Sequence, residues 1–167
     1  MRVTFALVGL AALSFASAAS ADAPVVAPIS FSSEFQTDLD EEYGAREGEY
    51  LRTYAHRAVT EALARRGAGN GLTIEIEIVD ADPNRPTFQQ ASHRPGLDSF
   101  RSISIGGAEL RAVLRDANGA VVSEVEHDRY NHSLADLTGA ESTWSEAHRA
   151  IRQFANKVAD AYVANAR

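Results

Sequence analysis

The chain has 167 residues, with 23 acidic against 16 basic side chains and a formal charge of −7. It contains no cysteine. That acidity argues against nucleic acid and anionic lipid as partners. The missing thiol excludes disulfides, thiol catalysis, zinc–thiolate sites and the acylated cysteine of a bacterial lipoprotein, so no membrane anchor is expected.

The first residues read as an export signal. Met1-Arg2 supplies a thin positive end, and Phe5 to Ala16 is a run of apolar and small residues. Ala19-Ser20-Ala21 then fits the small-x-small cleavage pattern, with Ala16-Ser17-Ala18 as the competing site. The run is too short to span a bilayer comfortably. The expected organisation is therefore a signal peptide over 1–21, a flexible Pro/Ala linker over 22–28 and one domain over 29–167. The expected location is the periplasm, with secretion as the alternative.

Along the domain, Ile29, Phe31, Ser33 and Phe35 alternate with polar residues and predict a first strand. The period then changes. Leu51, Tyr54, Ala55, Ala58, Val59, Ala62 and Leu63 lie on one helical stripe, with Glu47 and Glu49 at its positive end. Arg65 and Arg66 sit at the negative end, and Gly67 stops the helix. Leu72, Ile74, Ile76 and Ile78 alternate with Thr73, Glu75 and Glu77, which predicts a strand wet on one side. A loop of about twenty residues follows, 80–100, long for a compact domain and holding three prolines.

After the loop, Ile103 and Ile105 have odd parity, whereas Leu110, Ala112 and Leu114 have even parity. One strand carrying both sets must absorb an extra residue, so Gly106-Gly107 is expected to form a β-bulge. Asp116 to Gly119 closes a hairpin onto a return strand over 120–127. A last helix starts near Trp144, where Thr143 and Glu146 are spaced as a capping box. Trp144, Ala147, Ile151, Phe154, Ala155, Val158 and Tyr162 form its apolar stripe. The order β-α-β-β-β-α predicts an α+β two-layer sandwich: a roughly four-stranded, largely antiparallel sheet with two helices on one face.

Chemical motifs are sparse. Asp38, Asp40, Glu42 and Glu49 fall at the oxygen positions of a calcium-binding loop. Tyr43 replaces the glycine that such a loop needs, however, and Arg46 puts a cation beside the ion. No cofactor is expected. Ser92, His93, Asp98 and Ser99 share the long loop without a G-x-S-x-G or S-x-x-K frame. His127 and His132 lack an evident third ligand. An exported hydrolase or metal-dependent enzyme using His93, His127 or His132 is the rival to a non-enzymatic module. Glu75/Glu77 and Glu124/Glu126 read as a solvated sheet face rather than a glycosidase pair. For contacts with a partner, Phe88, His93, Arg94 and Phe100 are the candidates; the plainer expectation is that the two aromatics pin the loop to its own sheet.

The export signal, the element order, the hairpin "ELRAVLRDANGAVVSEVEH" and the Trp-initiated last helix resemble small Gram-negative envelope proteins. Those are domain-of-unknown-function families and transport-auxiliary or lipopolysaccharide-assembly lipoproteins. The likeness spans Leu72 to Val163 and lacks the lipidated cysteine common in that group. It implies a periplasmic accessory or binding module with an envelope protein as partner, and no catalytic residues.

Overall fold

The computed structural model describes residues 24–69, 71–98, 100–136 and 142–165. The expected signal peptide lies outside them. The elements in order are β1 (Val25–Val26), β2 (Ser30–Phe31), α1 (Ser33–Asp38), a π-helical turn (Leu39–Tyr43) and α2 (Ala45–Arg65). Then come β3 (Thr73–Asp82), α3 (Phe88–His93), β4 (Gly107–Arg115), β5 (Val121–Tyr130), a 3₁₀ turn (Leu134–Asp136) and α4 (Ser145–Asn165).

The fold is α+β, with a mixed five-stranded open sheet. β3, β4 and β5 pair antiparallel in that order, and β1 and β2 add in parallel along the other edge of β3. Ile74, Ile76, Ile78, Leu110, Ala112 and Leu114 face α2 and α4 and are buried almost completely. The two helices meet this face with Leu51, Ala55, Val59, Ile151, Phe154 and Val158. Each such aliphatic side chain withdrawn from water contributes about 1.5–3 kcal/mol before entropy is charged against it. The opposite face is polar: Arg111 pairs with Glu77, and Arg115 with Glu75 at 3.0 Å. Those carboxylates serve cross-strand pairing, as a wet face predicts.

Several expectations are corrected. Val25 and Val26, inside the stretch read as a linker, pair with Thr73 and Ile74. The first strand stops at Phe31, because the Ser32 side chain accepts the Phe35 N–H and starts a helix. The long loop contains α3, closed by a capping box of Thr87 and Gln90.

The expected bulge at Gly106-Gly107 does not form. Residues 102–106 are not strand, and Ile103 and Ile105 are exposed. The register slips instead in β3, where Ile78 faces Leu110 and Asp80 faces Glu109, so Val79 is the extra residue. That slip turns Ala81 inward with Ile74, Ile76 and Ile78, and places Asp80 and Asp82 on the other parity.

Gly106 and Gly107 are needed for clearance. A Cβ on Gly106 would lie 2.6 Å from the Asn84 side chain, and one on Gly107 would lie 2.3 Å from the Arg129 carbonyl oxygen and 2.5 Å from the Tyr130 ring. The Tyr130 side chain crosses β4 above Gly107 and donates to Asp80 on β3.

The expected Thr143/Glu146 box is also replaced. Glu146 is fully buried, and its carboxylate meets Arg129 at 3.3 Å and Arg149 at 2.8 Å. The first turn of α4 is capped from a distance, by Asn84.

Candidate functional site

The segment joining β3 to β4 is largely irregular outside α3, yet it is tied down at both ends. Asn84 is fully buried. Its side-chain oxygen accepts the Glu146 N–H at 2.8 Å, its amide donates to the Ser104 carbonyl at 3.2 Å, and its own N–H donates to the Thr143 carbonyl at 2.7 Å. The Ser104 N–H returns a bond to the Asn84 carbonyl at 2.9 Å. One side chain thus fastens both ends of the loop to α4. A buried amide bonded through both its oxygen and its nitrogen favours a single arrangement.

Within the loop, α3 rests on the π-helical turn. Gln89 donates to the Glu41 carbonyl at 3.1 Å, and Arg94 pairs with Glu42 at 2.9 Å. Gly44, with φ +102°, turns the chain beside Gln89. Further on, the Asp98 carboxylate accepts the N–H groups of Phe100 and Arg101 at 2.7 and 3.0 Å. Arg85 donates to the Phe100 carbonyl at 2.5 Å.

What this braced loop displays is apolar. Phe88 is 86% exposed and Phe100 88%, with Ile103 and Ile105 also at the surface. The two aromatics do not pin the loop to the sheet. Between the loop and the end of β3 lies a cleft of about 320 Å³, lined among others by Tyr43, Asp82, Pro86, Gln90, Arg94 and Ile103.

One carboxylate, the half-buried Asp82, lines the cleft, with Asp80 and Asp38 near it. Burial, reinforced by the neighbouring Asp80, pushes the Asp82 carboxyl above its usual range, against a bond from the Tyr43 hydroxyl at 3.4 Å. Burial also pushes Tyr43 well up, with Asp82 next in effect. Asp38 is raised by burial and then by Asp80, and Tyr130 by burial and its bond to Asp80. Two phenols thus bond the carboxylates at the end of β3, Tyr43 to Asp82 and Tyr130 to Asp80, which makes this end of the strand polar.

Two groups named from the sequence come together here. Phe88 and His93 lie on α3, Arg94 follows it, and Phe100 lies beyond, all at the surface. The Arg94–Glu42 pair joins this group to the acidic segment. Asp38, Asp40, Glu42 and Glu49 themselves are not gathered. Asp38, Asp40 and Glu42 lie on helical turns before Gly44 and Glu49 lies on α2 after it; Asp40 accepts from Gln36 at 2.9 Å, and Glu49 pairs with Arg52 at 2.5 Å. Among the described residues no three His, Asp or Glu side chains form a metal-holding group.

No histidine is among the residues that line this cleft. The His127 ring lies 3.0 Å from the Lys157 ammonium, and burial followed by that charge lowers its pKa. His132 is exposed. Another surface cleft, beside Pro28 and Ile29, is lined by His56 of α2. Sequence reasoning missed Asn84, Tyr43 and Asp82 as site residues. The only local hint was the Thr87-x-x-Gln90 spacing, which marks ordered structure inside the loop.

No protein-family model matches the chain, and no curated protein matches it. Among solved structures, it is similar to a presumed lipoprotein from Caulobacter crescentus at 21% identity, over 83% of this chain and 91% of that one, with a TM-score of 0.40. It is also similar to a DUF330 protein from Xanthomonas campestris at 13% identity, over 82% and 81% of the two chains, with a TM-score of 0.46. At these scores neither likeness carries a functional inference.

Proposed function

We propose that this is a non-enzymatic, exported accessory module of the cell envelope, which works by contact with another protein through the 83–106 loop. The observation that carries the reading is that Phe88 and Phe100 stand almost fully in water on a backbone fastened by Asn84, Thr87 and Asp98. Exposed aromatics on a braced loop lose little conformational entropy when covered, and aromatic and Arg side chains dominate the energetics of protein interfaces. Arg94 and Arg101 beside them supply polar contacts for the rim. Export is supported by the N-terminal sequence pattern.

The test is a photocrosslinking amino acid placed at Phe88 or Phe100 in intact cells, with Arg65 at the far end of α2 as the control position. A discrete protein adduct from the loop positions alone is the expected result, lost when the remaining aromatic is changed to Ser. Identical adducts from all three positions, or none, overturn the proposal.

A further inference from the structure

The two edges of the sheet are treated differently. β1 and β2 occupy the outer edge of β3, whereas β5 ends the sheet on the other side. The phase of its hydrogen bonds follows from one contact. The Asn131 N–H donates to the Gly106 carbonyl at 3.1 Å, directly beyond the Gly107–Tyr130 pair. Antiparallel pairs alternate between bonded and non-bonded. Glu124, Glu126 and Asp128 therefore stand in non-bonded positions opposite Val113, Arg111 and Glu109. Their N–H and C=O groups point away from β4, toward an edge that no strand of the described residues covers.

The same three residues carry exposed carboxylates, spaced about 6.5–7 Å apart along the open face of the sheet. Their cross-strand neighbours neutralise them only in part. Arg111, opposite Glu126, is bonded to Glu77, so one cation is shared among Glu77, Glu124 and Glu126, and Glu109 adds a further negative charge opposite Asp128. A second copy of β5 laid against this edge would set carboxylate against carboxylate, so self-pairing is disfavoured. What complements the row is a strand of the opposite sign.

We propose that β5 accepts an extended basic segment of a partner protein as an added strand. In that segment Lys or Arg occurs at every second residue, on the side of Glu124, Glu126 and Asp128. Main-chain bonds supply the register and the alternating cations supply the choice of partner. This surface is separate from the 83–106 loop, and the inference stands without it.

The test uses a ten-residue synthetic peptide alternating Lys and Thr, against a peptide of the same composition with its lysines clustered. Amide hydrogen exchange of the full chain is followed by NMR. The alternating peptide is expected to slow exchange at Glu124, Glu126 and Asp128, and to bind more weakly as salt rises. Glu124→Gln or Glu126→Gln should each weaken binding about two- to five-fold. Glu126→Pro removes only an outward-facing N–H, which an edge strand tolerates; it should abolish protection while the melting temperature holds. The charge-reversed pair Glu124→Lys with Glu126→Lys should transfer preference to an alternating Glu peptide, and this arm decides the matter if the proline variant melts early. Equal binding of the two lysine peptides, or no slowed exchange at millimolar peptide, overturns the proposal.

Discussion

The Tyr130 hydroxyl donates to Asp80 at 2.7 Å across an intervening strand, over the bare α-carbon of Gly107. Any side chain at position 107 must displace either that ring or the Arg129 carbonyl, and the carbonyl belongs to backbone that cannot swing aside. Gly107→Ala is therefore expected to cost about 3 kcal/mol, at the upper end of overpacking effects. Tyr130→Phe should cost about 1 kcal/mol for the lost bond. Urea unfolding midpoints at constant m-value measure both.

Asn84 and Gly106 form a second such pair, separated by 22 positions and in contact through space. Asn84→Ala removes the cap on α4 and leaves buried polar groups without partners, for an expected loss of about 2 kcal/mol. Gly106→Ala should be costly in the native chain and nearly free once Asn84 is alanine, because the atoms it collides with are gone. A double-mutant cycle that sums without coupling would contradict the clearance argument.

His148 stacks on Tyr54 at 4.0 Å, and its pKa is pushed down to about 4, first by burial and then by the charges of Arg152 and Arg57. The unfolded chain binds this proton near pH 6.5. Between about pH 6.5 and 4 the unfolded state thus holds more protons on this group, and its contribution to stability falls as pH falls. His127 is lowered too and acts in the same sense. Asp82 and Asp38 are raised and act in the opposite sense near the bottom of the window. His148→Phe keeps the stack without the titration. Its melting temperature should lose less than the parent's between pH 7 and 5, and parallel curves would refute the assignment.

Phe88→Ser and Phe100→Ser should change stability by less than about 0.5 kcal/mol, because neither ring leaves water on folding. A loss of about 2 kcal/mol in either would mean that the ring packs against its own chain, and the contact surface would have to be sought elsewhere. Thermal melts of the two variants decide this.

The long periodic elements were legible in the sequence. The stripes around Leu51 to Leu63 and Trp144 to Tyr162, the alternation of Leu72 to Ile78 and the Asp116–Gly119 turn all depend on neighbours within a few residues. The failures share a different cause. Gly106 and Gly107 make room for Asn84 and Tyr130, residues far away in sequence, and parity alone assigned their job to a bulge that Val79 performs. Ser32 starts a helix where apolar alternation suggested more strand. At Glu146, a fitting local spacing lost to a buried pairing with Arg129 and to a cap from Asn84. Of the site, the exposed residues on the loop could be named; the floor beneath them, Tyr43 and Asp82, could not, since only the folded chain brings the π-helical turn to the end of β3.

Trp144 is the only tryptophan in the chain, and its indole N–H donates to Glu47 at 2.7 Å while the Tyr43 ring meets it edge-on at 5.7 Å. Tyr43 lines the cleft. The molecule thus carries a built-in optical gauge: an occupant beneath the loop would touch a phenol that is packed on the sole indole, and the emission spectrum of unlabelled protein is the place to look for it.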